Sequence, residues 1–110
     1  MINYSDFEKV DIRVGTVIEA KLNKKSINPS LYVLIDFGEK IGKKTTSAQL
    51  TKYYLPEELI GKQVAAVINF PPKQIGKMIS EVLVLGFPDD GNNPVLVMPS
   101  IKIPNGGKLF

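Results

Sequence analysis

From Val10 the chain alternates. Val10, Ile12, Val14, Thr16, Ile18 and Ala20 fall on one face, and Asp11, Arg13, Gly15, Val17, Glu19 and Lys21 on the other. A period of two is that of an extended strand covered on one side. The pattern predicts a long first strand whose apolar face is the core face. Gly15 within it predicts a bend or bulge. Leu31, Val33, Ile35 and Phe37 alternate against Tyr32, Leu34 and Asp36 and predict a second strand. Lys44 to Leu50 gives a weaker third and Val64 to Ile68 a fourth. Val82 to Phe87 and Val95 to Met98 flank Asp89-Asp90-Gly91-Asn92-Asn93, a turn signal. They predict a hairpin, or two halves of one sheet edge.

Helix signals are few and short. Ser5-Asp6-Phe7-Glu8 fits a capping box with Ser5 as N-cap. Leu55-Pro56-Glu57-Glu58-Leu59-Ile60-Gly61 fits one helical turn. Proline suits its first position, the glutamates its positive end, and glycine its exit. With no long helix to cover a parallel sheet, an all-β fold is predicted. A closed barrel removes sheet edges in a small domain. The short helix between the third and fourth strands favours a five-stranded oligonucleotide/oligosaccharide-binding (OB) barrel; an SH3-like barrel is the rival. No internal repeat interrupts the pattern, so residues 1–110 are expected to form a single domain.

Composition excludes more than it assigns. The chain has no cysteine and no histidine. Disulfides, thiolate or imidazole metal sites and histidine-based catalysis are therefore excluded. No stretch is apolar for long enough to span a membrane. The start Met1-Ile2-Asn3-Tyr4-Ser5-Asp6 lacks signal-peptide character, so a cytoplasmic location is expected. Fourteen basic against eleven acidic residues give a net charge of +3, which permits an anionic partner without demanding one. Lys24-Lys25, Lys43-Lys44 and the pair Lys73 and Lys77 all fall in predicted loops.

The polar constellations point to binding. Thr46, Ser47 and Gln49 offer hydroxyls and an amide, which can bond phosphate, ribose or base edges, or equally their own backbone. Arg13 can grip phosphate, or pair with Asp36, Glu81 or another acid. Tyr32, Tyr53 and Tyr54 are candidate stacking platforms. Asn69-Phe70-Pro71-Pro72-Lys73 ends a strand on two prolines, a stiff turn that could hold Asn69 and Lys73 toward a partner. Asp11, Asp36 and Glu81 could in principle pair as acids, but each reads more simply as an ordinary surface or structural acid. Ser47 has neither a histidine nor a Ser-x-x-Lys lysine to activate it. Gly38 to Thr45 lacks the spacing of a phosphate loop. No catalytic residue, cofactor or metal is expected.

Ordered matches run through the whole chain: Asp11-Ile12-Arg13-Val14-Gly15, Ile35-Asp36-Phe37-Gly38, Thr46-Ser47-Ala48-Gln49-Leu50-Thr51 and Glu57-Glu58-Leu59-Ile60-Gly61-Lys62-Gln63. They continue in Val67 to Lys73, Ser80 to Gly86 and Pro104-Asn105-Gly106. On these the sequence resembles the tRNA-binding-domain family, in particular its export-related CsaA-like chaperones. It is similar also to the C-terminal domain of bacterial methionyl-tRNA synthetases. The resemblance implies an OB-fold barrel with N- and C-terminal dimerisation extensions, and a non-catalytic homodimer that binds tRNA or tRNA-like RNA. The RNA-binding residues it implies are Arg13, Thr46, Ser47, Gln49, Asn69, Lys73 and Ser80; Lys77, where the chain departs from the family, is expected to add a phosphate contact of its own. The alternative it implies is a chaperone for unfolded or export-competent peptides, with Phe37, Phe70 and Met78 near a hydrophobic groove. Two positions depart from the family pattern: Thr46 replaces a serine, and Gly76 stands one position early, which bears on where Lys77 is aimed. Glu81 beside a phosphate site would repel RNA.

Overall fold

The computed structural model describes residues 1–23 and 29–110. The Lys24-Lys25 pair lies outside the described residues. Among the described residues, nine strands and two short helices follow in the order α1 (Tyr4–Glu8), β1 (Ile12–Asn23), β2 (Ser30–Asp36), β3 (Lys43–Ala48), α2 (Pro56–Leu59), β4 (Gln63–Val67), β5 (Lys73–Ile75), β6 (Met78–Ser80), β7 (Leu83–Val84), β8 (Gly86–Pro88) and β9 (Pro94–Leu96). Five strands form one antiparallel sheet in the order β3-β2-β1-β4-β7. The sheet curls into an OB-like half-barrel, as the all-β pattern predicts. The β8–β9 pairing realises the hairpin read around Asp89 to Asn93. The β5–β6 hairpin was not read from the sequence.

Which face of β1 is inside differs from the expectation. The main core holds Val17, Ala20, Leu31, Val33, Ile35, Phe37, Leu59, Val64 and Ala66. Arg13, Gly15 and Val17 pair across to Ala66, Val64 and Ile35, so this parity faces inward. Ile12 instead joins Ala65 and Val67 in an outer cluster with Phe7, Leu85 and Val97. The bulge sits at Ile18, between Val17 and Glu19, not at Gly15. One extra residue reverses the alternation, so Ala20 returns to the face of Val17 and the strand twists more strongly. Gly15 serves a close approach instead. A Cβ there would stand 2.5 Å from Ile35 Cγ2 and 2.8 Å from Phe37 Cδ1.

The N-terminal capping box also starts earlier than expected. Asn3, not Ser5, is the N-cap, and the Asp6 carboxylate accepts the Asn3 N–H at 2.9 Å. Asparagine and aspartate fill the roles assigned to serine and glutamate. The helix then delivers Phe7 to the outer cluster. Pro56 occupies the start of α2, as read.

The C-terminal segment is stitched along β1 where β2 has ended. Gly106 N–H donates to Val14 O at 2.8 Å, Val14 N–H to Gly107 O at 3.2 Å, and Leu109 N–H to Ile12 O at 2.8 Å. Gln63, 9% exposed on β4, clamps the same segment. Its amide donates to Ile103 O at 2.6 Å and accepts Ile103 N–H at 3.0 Å. It also reaches Asn105 Oδ1 at 3.0 Å, which Thr16 Oγ1 meets from the other side at 2.7 Å. Gln63→Ala is expected to cost about 1–3 kcal/mol. Hydrogen exchange should then show the Ile103 amide unprotected while the β1–β2 amides stay protected.

Candidate nucleic-acid interface

The barrel closes where β3 meets the chain entering β7. Glu81 N–H donates to Thr45 O at 2.8 Å. The Glu81 carboxylate takes Thr45 N–H and Thr45 Oγ1–H, both at 3.0 Å. Its other oxygen lies 4.0 Å from Lys44 Nζ. Glu81 is therefore a buckle between strands, its charge engaged by partners of its own. Thr46, 2% exposed, donates its hydroxyl to Val82 O at 2.9 Å and lies 2.9 Å from Ser80 Oγ. Ser47 N–H donates to Ser80 Oγ at 3.3 Å. The hydroxyl run thus seals the seam through local bonds that threonine and serine make readily.

Beside this seam lies a depression of about 310 Å³. Thr46, Ser47, Ser80, Phe70 and Lys73 line it together with Val82 and Leu83. Five residues from distant parts of the sequence thus meet at one place. Phe70 is 52% exposed, and Lys73 is exposed with no ion pair among the described residues. The β5–β6 hairpin brings Lys73 opposite Ser80. Gly76 takes φ 63° at the first position of the two-residue turn, as tight hairpins require, and leaves Lys77 exposed at the tip. That glycine, between Lys73-Gln74-Ile75 and Met78-Ile79-Ser80, was the signal for the unread hairpin.

The other predicted residues stand elsewhere. Gln49 lines a neighbouring depression of about 540 Å³ with Lys52, Asn92 and Pro94. Arg13 is committed to its own chain: Nε donates to Asp11 Oδ1 at 2.6 Å and Nη1 to Gly106 O at 2.9 Å. The acid that pairs with it is Asp11, two residues back, not Asp36 or Glu81. Asn69 is a staple, donating to Lys9 O at 2.7 Å and accepting Asp11 N–H at 3.0 Å. Of the residues expected near a peptide groove, only Phe70 lines the depression. Phe37 is 1% exposed, buried beneath Gly15. Met78 is half-buried with its sulfur 3.6 Å from Asn23 Nδ2.

The tyrosines hold loops instead of standing free. Tyr54 Oη accepts Leu96 N–H at 2.9 Å. Tyr53 donates its hydroxyl to Asp89, which also accepts Gly91 N–H at 2.9 Å and Asn93 N–H at 2.7 Å. These donors, the Tyr53 hydroxyl foremost, pull the Asp89 carboxyl down to about 2. The same bond pushes the Tyr53 phenol up. Tyr32 lies on β2 between Lys21 and Ser47, half-buried. Among the described residues no group of acids could hold a metal ion, and no helix is long and apolar enough to cross a membrane.

Comparison with known proteins places this geometry. The family described as "Putative tRNA binding domain" matches residues 12–108. The solved chaperone CsaA of Bacillus anthracis is 48% identical, with TM-score 0.92, and the match covers 100% of this chain and 99% of that one. The CsaA chaperone protein of Picrophilus torridus is 47% identical, with TM-score 0.91 and full coverage of both chains. The methionine–tRNA ligase of Pyrococcus horikoshii is 38% identical over 109 residues, covering 98% of this chain. The chain spans only 14% of that ligase's length. A family match over nearly the whole chain, on a half-barrel of the same shape, fixes the assignment: this chain belongs to the tRNA-binding-domain family.

Proposed function

We propose that this chain is a non-catalytic, homodimeric, cytoplasmic protein that binds tRNA or tRNA-like structured RNA. The observation that carries the reading is the meeting of Ser47, Ser80, Phe70 and Lys73, which has no ion pair among the described residues, around one depression in a chain of this family. Lys73 and Lys77 supply phosphate contacts, and Ser47, Ser80 and Gln49 the shorter polar contacts. Thr46, Arg13 and Asn69 hold the rim in place through the bonds described above. The homodimer is supported by apolar side chains left bare near the C-terminal segment and on the β8–β9 hairpin: Phe87 at 69%, Ile101 at 73% and Phe110 at 103% exposure. Burying such side chains against a second copy would remove them from water. Light scattering is expected to give twice the mass of one chain.

Titration of wild type and Lys73→Ala with unfractionated tRNA at two salt concentrations tests the RNA reading. Each phosphate contact contributes a slope of about −0.9 in log K against log salt. Lys73→Ala should weaken binding across all tRNAs and flatten that slope by about one contact. Binding indifferent to salt and to Lys73 would refute it. A second reading, capture of unfolded or export-competent peptides, is favoured by the apolar part of the same lining, Phe70, Ile75, Val82 and Leu83, and by the CsaA chaperone neighbours. It predicts peptide binding that added salt leaves unchanged.

A further inference from the structure

Asn105-Gly106 is the only Asn-Gly step in the chain. In an open chain such a step modifies itself. Glycine carries no side chain to keep its backbone nitrogen away from the preceding carboxamide. That nitrogen, after losing its proton to solvent, attacks Asn105 Cγ. The new C–N bond closes a five-membered succinimide, the bond to Nδ2 breaks, and ammonia leaves. Water then opens the ring at either carbonyl. The products are aspartate and an isoaspartate whose backbone runs through Cγ. One water is taken up and one ammonia released, with no oxidant or cofactor.

In the fold both reacting groups are held. Gly106 N–H is donated to Val14 O at 2.8 Å. Asn105 Oδ1 accepts from Thr16 Oγ1 at 2.7 Å and from Gln63 Nε2 at 3.0 Å, which stops the carboxamide turning. The turn is also wedged. An added Cβ at Gly106 would lie 2.5 Å from Phe37 O, and one at Gly38 would lie 3.1 Å from Asn105 O. Every one of these partners sits on β1, on β4 or just past β2, so all the holds are lost together when the C-terminal segment lifts. A short segment held along one strand opens at lower cost than the sheet itself.

We propose that Asn105 is a latent self-modification site, silent while the C-terminal segment is docked on β1 and deamidated when that segment lifts. Isoaspartate makes the release permanent. It adds one backbone atom before Gly106 N, so the chain no longer reaches Val14 O and the Thr16–Gln63 pair together. Aspartate does not, because Oδ1, the atom that takes both side-chain bonds, survives.

The test is peptide mapping by mass spectrometry after incubation in mildly alkaline buffer, with digestion kept mildly acidic. Trypsin releases residues 103–108, since Lys102 and Lys108 flank the site. The native chain, the chain in concentrated urea and a synthetic peptide of residues 99–110 are compared. The native chain is expected to deamidate at least about tenfold more slowly than the peptide, and the urea-unfolded chain at the peptide's rate. Gln63→Ala should raise the native rate about 5- to 150-fold, with the peptide's rate as ceiling. Thr16→Val, which keeps the side-chain shape, should raise it about 2- to 13-fold. Melting followed by circular dichroism checks that both variants are folded during incubation. Lifting of the segment exposes little surface, so the native rate should stay flat in urea below the unfolding transition. A purified chain with isoaspartate at position 105 should leave the Ile103 and Leu109 amides open to hydrogen exchange, and Asn105→Asp should keep them protected. Native deamidation at the peptide's rate would mean that docking does not silence the site. A native rate that climbs with urea in step with unfolding, or that neither variant changes, would mean that the segment does not lift by itself. Renewed protection in the isoaspartate chain would refute the permanent release. Any of these overturns the proposal, and the RNA reading is untouched by them.

Discussion

Phe37→Ala is expected to lower stability by about 3–5 kcal/mol. The ring is among the largest fully buried side chains, at 1% exposure. It is packed under Gly15, so close that an added Cβ would come within 2.8 Å of it. Residue 15 has no side chain to move into the space, which leaves only neighbours such as Ile35 to shift toward it. The lost contacts therefore leave a cavity. A domain of this size has a total stability of about 5–15 kcal/mol. The variant should melt about 15 °C or more below wild type. Thermal denaturation followed by circular dichroism measures this. The result also separates core from surface: any loss of peptide or RNA capture in Phe37→Ala should follow melting and vanish below the new midpoint. Phe70→Ala should do the reverse, with binding changed and melting kept.

Gly106→Ala is expected to cost on the order of 3 kcal/mol, from two separable causes. Gly106 has φ 91°, which side chains rarely adopt, and its missing Cβ would lie 2.5 Å from the backbone oxygen of Phe37. A backbone oxygen in a packed strand end cannot swing aside as a side-chain tip can. Relief must come from the tail, at the expense of the Gly106-to-Val14 bond and the Arg13 contact with Gly106 O. Gly42 provides the control. Its φ is 85°, but nothing lies within 4 Å of its added Cβ. Gly42→Ala should show the conformational strain alone, about 1 kcal/mol. Chemical denaturation of both variants measures the difference. Equal losses would mean that the approach to Phe37 contributes nothing.

Much of the strand order was legible because alternation in β1 and β2 and the turn around Asp89 each obey a local rule. Pro56 and the glutamates after it marked α2 for the same reason. The inner face of β1 was not legible. Both faces of its first half are covered, Ile12 by the outer cluster, Val14 by the C-terminal segment at Gly107, and Gly15 and Val17 by the barrel core. Apolar residues on a doubly covered strand carry no sign of which side is inside. The β5–β6 hairpin left almost no pattern because its residues are exposed or half-buried, so burial imposed no alternation on them. At the site, residue types were readable but their engagement was not. Arg13 and Asn69 look like ligand contacts in the sequence. In the fold each meets a backbone carbonyl far along the chain: Gly106 O is 93 residues from Arg13, and Lys9 O is 60 residues from Asn69.

The sequence by itself determined an all-β chain with two helical turns, without thiol or imidazole chemistry, and with its polar and basic residues in the right segments for a rim. These follow from composition and from near-neighbour sterics, which need no partner strand. Tertiary structure alone decided which of those residues are free to act. Thr46 and Glu81 were spent on closing the barrel, and Arg13 and Asn69 on securing its ends. Ser47, Phe70 and Lys73 were brought around one depression, and Gln49 beside a neighbouring one. A polar side chain's availability depends on whether a distant backbone group reaches it first, and that is set by the curl of the sheet.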